Sequence, residues 1–209
     1  QLHFCNFNSK MKTISGKFIV FEGLDGSGRS TAIESVKEFL TNQGFKVFTT
    51  KEPTLDSKSG RKIKKILTEK IETDPMELQE LYIKDRKEHL EKQIIPTLNE
   101  GKIVISDRYF FSTYAYGVAD GANMEKLIEL NKDFLYPDLI FLFKIDAKIS
   151  IKRIERREDP KEYFEKEEIL RKVGYVYNTF PERFKNFKVI DAKKSKEEVS
   201  DQINETILK

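Results

Sequence analysis

The sequence is poor in the residues that form covalent cross-links and metal sites. It contains one cysteine, two histidines and no tryptophan in 209 residues. With Cys5 alone, the chain can form neither an intrachain disulfide nor a metal site built from several thiolates. His3 and His89 lie far apart and lack the spacing of metal ligands, so we interpret His89 as a residue on a helix surface.

Long apolar runs and an excess of one charge are also missing. No hydrophobic stretch reaches membrane-spanning length, and residues 1–10 lack the apolar centre of a secretory signal. The 38 basic and 35 acidic residues give a net charge of only +3 and are interleaved, which does not favour nucleic-acid binding. We therefore expect a soluble cytoplasmic protein with neither a membrane nor a nucleic-acid partner.

Length and composition predict a single domain. A chain of 209 residues with 38% hydrophobic and 35% charged residues can bury one substantial core, and no linker or repeat divides it. Because Met11 follows residues 1–10, we interpret those ten residues as an N-terminal extension or tag. Residues 11–209 then form the domain.

What the sequence does contain is a phosphate-binding pattern between a strand and a helix. An apolar run at 18–21 predicts a buried strand, and an amphipathic helix follows the glycine-rich turn. The glycines let backbone N–H groups turn toward an anion, and the helix start points its own N–H groups at the same place. In the pattern G-x-x-x-x-G-K-[ST], Arg29 stands where lysine is usual, and Ser30 stands where a hydroxyl binds Mg²⁺. We predict a nucleoside triphosphate site formed by Gly23, Leu24, Asp25, Gly26, Ser27, Gly28, Arg29, Ser30 and Thr31.

Apolar segments alternate with helical patterns along the rest of the chain. The predicted strands cover 17–22, 45–50, 103–106, 139–145 and 187–190. The predicted helices cover 30–43, 58–70, 74 to near 96, 110–118, 124–134, 148–157, 162–180 and 195–208. Uniformly apolar strands that alternate with helices indicate an α/β fold, a five-stranded parallel sheet with helices on both faces.

Polar residues follow the second and third predicted strands, at the sheet edge where ligands bind. Asp107 is placed like the acid that helps to hold Mg²⁺, and Arg108 beside it has the fork that clamps a phosphate. A salt bridge at the strand end is the alternative interpretation. After the second strand, Pro53 forces an extended turn behind Lys51.

Two further pairs are spaced by one helical turn. Arg153 and Arg157 would share a helix face, from which they could close over a transferring phosphoryl group; a solvated charged face is the alternative. Tyr82 and Arg86 suit stacking and hydrogen bonding to a planar base. From the residues alone, core packing with a surface arginine explains the second pair better.

Together these segments resemble the thymidylate kinase family over nearly all of residues 17–209. The family's phosphate loop is matched by FIVFEGLDGSGRST, its R-E-P turn by TKEPT, and its base-binding helix by LYIKDRKEH. Its most specific signature, D-R-Y-x-x-S-x-x-A-Y, is matched by DRYFFSTYAY. RIERREDPKEYFE resembles the lid, at about 148–165, with Glu165 in the place of a closing acid.

The resemblance implies a single P-loop kinase domain with a helical lid. It implies that ATP and Mg²⁺ are used to phosphorylate dTMP, giving dTDP and ADP, in a protein that is a homodimer. Substrate-binding positions are Lys51, Pro53, Tyr82, Arg86, Arg108, Ser112, Thr113 and Tyr116. Catalytic positions are Asp25, Arg29, Arg108, Arg153 and Arg157, and metal-binding positions are Ser30 and Asp107.

Within that set, the resemblance assigns individual tasks. Tyr82 stacks on thymine and Arg86 bonds a base carbonyl, while the ring of Tyr116 crowds the sugar's 2′ position. Arg108 grips the dTMP phosphate, and Lys51 replaces the family's arginine in the same task. Ser112 and Thr113 read the base edge.

Two other functions stay open. Another nucleoside or nucleoside-monophosphate kinase, accepting dUMP or a broad range, shares the loop and the lid. A P-loop switch protein is a different class, but it usually carries a guanine-reading N-K-x-D motif, which this sequence lacks. Arg29, Lys51 and Gly117, where many relatives carry glutamine, are the departures from the family pattern.

Overall fold

Five parallel strands form the centre of the molecule in a computed structural model that describes residues 15–157 and 162–208. The strands are β1 (Lys17–Gly23), β2 (Val47–Lys51), β3 (Ile103–Asp107), β4 (Leu139–Lys144) and β5 (Phe187–Asp191). Their order in the sheet is β2-β3-β1-β4-β5. The predicted parallel sheet is thus confirmed. The proposed extension at 1–10, with His3 and Cys5, lies outside the described residues.

Strand β1 lies in the middle of the sheet, where its apolar residues are covered on both faces. Residues from Phe18 to Phe21 are buried, and the neighbouring strands contribute Val104, Ile105 and Phe141 to the same core. In the register, Phe21 stands opposite Asp107 on one side and Phe141 on the other. The carboxyl ends of β1 and β3 therefore meet, which brings the glycine loop beside Asp107.

Ten α-helices among the described residues surround the sheet. They are α1 (Arg29–Asn42), α2 (Lys58–Glu69), α3 (Pro75–His89), α4 (Ile95–Asn99), α5 (Phe110–Ala119), α6 (Met124–Asn131), α7 (Ala147–Ile154), α8 (Glu167–Asn178), α9 (Phe180–Arg183) and α10 (Lys196–Ile207). Helix α1 packs against α10, while α5 packs against α3, α6 and α8. None of the described helices has the length and apolar character that a membrane crossing needs.

The helix ends follow local chemistry. Asp74 caps α3 by accepting from two backbone N–H groups, and Ser195 and Glu198 form a capping box at α10. Between α3 and α4 the chain makes one π-helical turn, Leu90–Ile94. This turn precedes Pro96, which has no N–H to continue the α-helical bonding and explains why the helical pattern weakens there.

Two helix predictions need correction. Helix α7 ends at Ile154, so Arg157 does not share a helix with Arg153 and the predicted common face does not exist. The predicted helix 162–180 begins only at Glu167. The chain between them makes turns, and residues 158–161 lie outside the described part.

Candidate active site

The glycine loop has the backbone conformation that the sequence predicts. Gly23, Gly26 and Gly28 have φ angles of +142°, +75° and +97°, in the region that L residues with a side chain rarely adopt. A Cβ atom on Gly26 would lie 2.7 Å from the carbonyl oxygen of Ser150. The loop therefore needs glycine both for its turns and for the close approach of α7.

Asp107 and Ser30 lie together at the mouth of the loop. The Ser30 hydroxyl donates to Asp107 Oδ2 at 3.2 Å, and Arg29 Nε donates to Asp107 Oδ1 at 2.7 Å. Burial raises the pKa of Asp107, but the charges of Arg29 and Arg108 outweigh it and hold that pKa below its ordinary value. The carboxylate is thus ionised and already paired.

Arg29 points inward rather than out of the loop. Its guanidinium is buried, and Nη1 donates to the carbonyl oxygens of Gly23 at 2.5 Å and Leu24 at 2.7 Å. The structure therefore places the expected phosphate-binding cation against the loop's own backbone.

Arg108 joins the loop to the acceptor side of the site. It donates to Asp25 at 2.6 Å, to the Tyr116 hydroxyl at 2.9 Å and to Ser112 Oγ at 2.9 Å. Its φ of +74° is unusual for a residue with a side chain. That conformation is held by bonds from its N–H to Phe21 O and from the Ser106 hydroxyl to its carbonyl oxygen.

Asp25 carries its negative charge at this junction. Burial favours its neutral form, but the guanidinium charges of Arg108 and Arg29 outweigh the effect of burial and lower its pKa from 3.8 to about 2. Its second oxygen accepts the Tyr116 hydroxyl at 2.7 Å. Asp25 is therefore a fixed anion between two fixed cations.

Two clefts meet at Asp25, Pro53 and Arg108. The first is a groove of about 470 Å³ along the glycine loop, and its other charged lining residues include Lys51, Asp107, Arg153 and Arg157. The second is a pocket of about 100 Å³ between α3 and α5, lined among others by Tyr82, Arg86, Ser112, Thr113, Tyr116 and Glu165. The residues predicted to bind a base and those predicted to bind phosphates thus lie side by side.

Arg86 is deeply buried, which corrects the interpretation of a surface arginine. Its guanidinium lies 2.7 Å from Glu52, and it also donates to Asn131 at 2.6 Å and to the Thr113 hydroxyl at 2.9 Å. His89 is buried as well, bonded to Thr50 Oγ1 at 2.7 Å, so its prediction as a surface residue is wrong. Both side chains face inward because Glu52 gives them a buried partner.

Arg153 and Arg157 reach the groove beside the glycine loop from different elements. Arg153, on α7, lies 3.4 Å from the Ser27 carbonyl oxygen and 3.0 Å from that of Ala192. Arg157, in the turn after α7, lies 3.6 Å from Glu165. Burial raises the pKa of Glu165, although Arg157 opposes that shift. The two arginines converge on one groove without sharing a helix face.

Sequence reasoning missed Glu22, a buried acid that bonds Ser112 in the lining of the pocket between α3 and α5. It is fully buried in β1 and accepts from Tyr109 N–H at 2.8 Å, from the Ser112 hydroxyl at 2.6 Å and from the Tyr177 hydroxyl at 2.8 Å. Burial raises its pKa, and the bond from Ser112 partly offsets this. An acid inside an otherwise apolar strand was the signal that could have found it.

Fold and site together define a P-loop protein of the NTPase type, with an acceptor pocket beside the phosphate loop. The family model for thymidylate kinase matches residues 21–203. The chain belongs to the thymidylate kinase family.

Named relatives agree with that assignment. A probable thymidylate kinase of Pyrococcus horikoshii is 38% identical over 193 residues, which is 90% of this chain and 94% of the relative. A probable thymidylate kinase of Thermococcus kodakarensis is 39% identical over 196 residues, which is 89% of this chain and 94% of the relative. A thymidylate kinase of Brachyspira hyodysenteriae is 36% identical over 195 residues, which is 93% of this chain and 94% of the relative.

Proposed function

We propose that this protein transfers the γ-phosphoryl group of ATP to dTMP, producing dTDP and ADP. The observation that carries the proposal is the junction at Asp25 and Arg108, two residues that line both the loop groove and the pocket between α3 and α5. A donor phosphate on one side and an acceptor phosphate on the other would meet there. Family membership favours this reaction over kinases with other acceptors.

The glycine loop supplies the ATP phosphate site. Its backbone and the start of α1 provide N–H groups and a positive dipole end for the anion. A further groove of about 690 Å³ continues from Gly26–Gly28 past Arg153 to Ala192 and Ser195. We place the purine and ribose of ATP in this groove because it adjoins the phosphate loop.

The pocket between α3 and α5 supplies the dTMP site. Tyr82 offers a ring for stacking, and Arg86 offers a guanidinium whose orientation is fixed by Glu52. Tyr116 lies at the inner end, next to Arg108, where it restricts the space around the sugar. Arg108 and Lys51 then hold the acceptor phosphate at the junction.

Charge explains how these side chains promote transfer. The attacking oxygen of dTMP belongs to a phosphate that is already anionic at neutral pH, so no general base is required. What remains is in-line positioning and stabilisation of spread negative charge. Arg108 positions the acceptor, held in place by Asp25, while Arg153 and Arg157 line the donor groove.

The oxygen ligands at the loop fit Mg²⁺. The Ser30 hydroxyl and the Asp107 carboxylate are hard donors 3.2 Å apart, and Mg²⁺ in such sites uses one or two carboxylates beside the phosphates. Within 15–157 and 162–208, no three or more His, Cys, Asp or Glu side chains are grouped to hold a metal by themselves. We assign Ser30 and Asp107 as the protein ligands of an ion that, when bound, neutralises phosphate charge.

The test is ADP release with ATP and Mg²⁺ across a panel of dTMP, dUMP, UMP, dCMP and dGMP. We expect the highest kcat/KM with dTMP. A panel without preference for dTMP contradicts the proposed acceptor, and slow hydrolysis that ignores every acceptor indicates a P-loop switch instead.

We further propose that the chain works as a homodimer in the cytoplasm, as its likeness to the family suggests. Size-exclusion chromatography with light scattering measures the mass directly. A mass near 24.5 kDa, that of a single chain, contradicts the dimer.

A further inference from the structure

Arg29 bonds three parts of the site: the start of the glycine loop, Ser27 within it, and the end of β3. Nη1 bonds the carbonyl oxygens of Gly23 and Leu24 at the start of the loop, and also lies 3.3 Å from Ser27 Oγ. Nε bonds Asp107 at the end of β3, 2.7 Å away. One planar guanidinium thus ties the glycine loop to the neighbouring strand.

A lysine at this position could not form the same set of bonds. Its donors all radiate from one nitrogen, whereas the arginine fork presents separate donors in fixed directions. Here Nη1 serves the loop and Nε serves the carboxylate at the same time. The replacement of lysine by arginine therefore changes the geometry while the charge is unchanged.

Asp107 has both oxygens engaged. Oδ1 accepts from Arg29 and Oδ2 accepts from the Ser30 hydroxyl. The local charges also balance, because the two carboxylates of Asp25 and Asp107 face the two guanidinium groups of Arg29 and Arg108. A divalent cation that approaches Asp107 competes with these two bonds for the electron density of the carboxylate and meets a cluster without net negative charge.

We propose that Arg29 is a positioning residue that holds the phosphate loop in shape before nucleotide arrives and competes with divalent cations for Asp107. The phosphates of a bound nucleotide would supply the negative charge that this cluster lacks, and Ser30 and Asp107 would then hold the ion. This inference rests on the proposed function, since it concerns the ATP side of the same site.

The experiment uses the nucleotide-free protein and two readouts. Mn²⁺ binding is followed through the electron paramagnetic resonance of the free ion, and hydrogen exchange is measured at the amides of 23–28. The variants are Arg29→Met, which removes both the positive charge and the planar guanidinium, and Arg29→Lys, which removes the guanidinium but keeps the charge. Arg171→Met is the matched control, because Arg171 forms an exposed pair with Glu167 and lines neither groove at the glycine loop.

For Arg29→Met we expect Mn²⁺ to bind about tenfold more tightly than to the wild type, since one charged competitor has gone. Adding Asp107→Asn should abolish that gain. Loop amides should exchange about tenfold faster in both Arg29 variants, because neither side chain can bond the loop carbonyl oxygens and Asp107 at the same time. The control should change neither quantity. Thermal unfolding confirms that each variant is folded, and Arg29→Lys still tests the loop if Arg29→Met does not fold.

The proposed competition between Arg29 and divalent cations is overturned if wild type and Arg29→Met bind Mn²⁺ with equal affinity. It is also overturned if the gain in Mn²⁺ affinity persists when Asp107→Asn is added to Arg29→Met. Unchanged loop exchange in both Arg29 variants overturns the positioning role. Neither readout involves dTMP or turnover, so failure here leaves the proposed reaction standing. If Mn²⁺ binding and loop exchange both give the expected results but the protein does not phosphorylate dTMP, only the proposed function is refuted.

Discussion

The carboxylate of Glu52 lies 2.7 Å from the guanidinium of Arg86, and both side chains are at least 98% buried. Glu52 stands at the carboxyl end of β2, while Arg86 is on α3, so the pair joins the sheet to the helix that lines the acceptor pocket. A buried ion pair of this kind is costly to break because the remaining charge has no solvent. It fixes the direction in which Arg86 faces the pocket.

Glu52→Gln is therefore expected to weaken both stability and acceptor binding. We expect the free energy of unfolding to fall by about 3 kcal/mol. We expect the KM for dTMP to rise about tenfold with a smaller change for ATP, because a misdirected Arg86 affects only the base. Urea unfolding and steady-state kinetics measure these effects. Glu167→Gln breaks an exposed pair with Arg171 and should change stability by less than about 0.5 kcal/mol. An unchanged KM for dTMP in Glu52→Gln contradicts the positioning of Arg86.

The sheet and the phosphate loop could be predicted because their signals are local. The strands β1, β3 and β4 are mainly apolar, and the glycines of the loop follow β1 directly, so spacing alone predicts the anion site. The end of β3 likewise predicts that Asp107 lies at the ligand edge. These features depend on residues that are close together in the chain, so they can be recognised from the sequence.

The buried polar contacts could not be predicted because their partners are distant in the chain. His89 and Arg86 look like polar residues on a helix until Glu52, more than thirty positions earlier, is seen beside them. The inward direction of Arg29 depends on Asp107, 78 positions away. The end of α7 at Ile154, which separates Arg157 from Arg153, had no glycine or proline signal at that position.

Gln79 offers a test of an unpaired buried group. It lies on α3 with 1% exposure, and neither its amide nitrogen nor its amide oxygen has a hydrogen-bond partner among the described residues. An unmet buried polar group costs about 1–3 kcal/mol, so Gln79→Met, of similar size, should raise the free energy of unfolding by about 1 kcal/mol or more. Urea unfolding measures the change. Gln93→Met removes a bonded amide, 2.7 Å from Asp56, and should not stabilise. A loss of stability in Gln79→Met contradicts the prediction.

Asp25 predicts a specific dependence of stability on pH. Its pKa is lowered from 3.8 to about 2 in the folded protein, so as the pH falls the unfolded chain takes up this proton first. Its contribution is fully present above about pH 5 and is lost as the pH falls through 4 toward 2; a shift of this size corresponds to about 2 kcal/mol. In urea unfolding from pH 6 to pH 2, the stability advantage of the wild type over Asp25→Asn should shrink by that amount. An advantage that stays constant across the range contradicts the pairing of Asp25 with Arg108.

Variants of Tyr116 distinguish the contribution of its ring from that of its hydroxyl. Its hydroxyl bonds Asp25 and Arg108, and the Arg108 guanidinium lies 4.7 Å from the centre of its ring. Tyr116→Phe keeps the ring, so we expect it to retain the preference for dTMP over the ribonucleotide 5-methyl-UMP. Loss of the hydroxyl leaves Arg108 less firmly held, and the KM for dTMP should rise about threefold to tenfold.

Tyr116→Ala removes the ring as well and opens the space beside the sugar. The ratio of kcat/KM for dTMP to that for 5-methyl-UMP should then fall about tenfold or more, because we propose that the ring of Tyr116 fills the space that a 2′-hydroxyl needs. Tyr175→Ala, at a side chain that is 76% exposed on α8, should leave the ratio unchanged. If Tyr116→Ala keeps the wild-type ratio, the discrimination lies elsewhere in the pocket. If Tyr116→Phe alone loses it, the hydroxyl rather than the ring sets the preference.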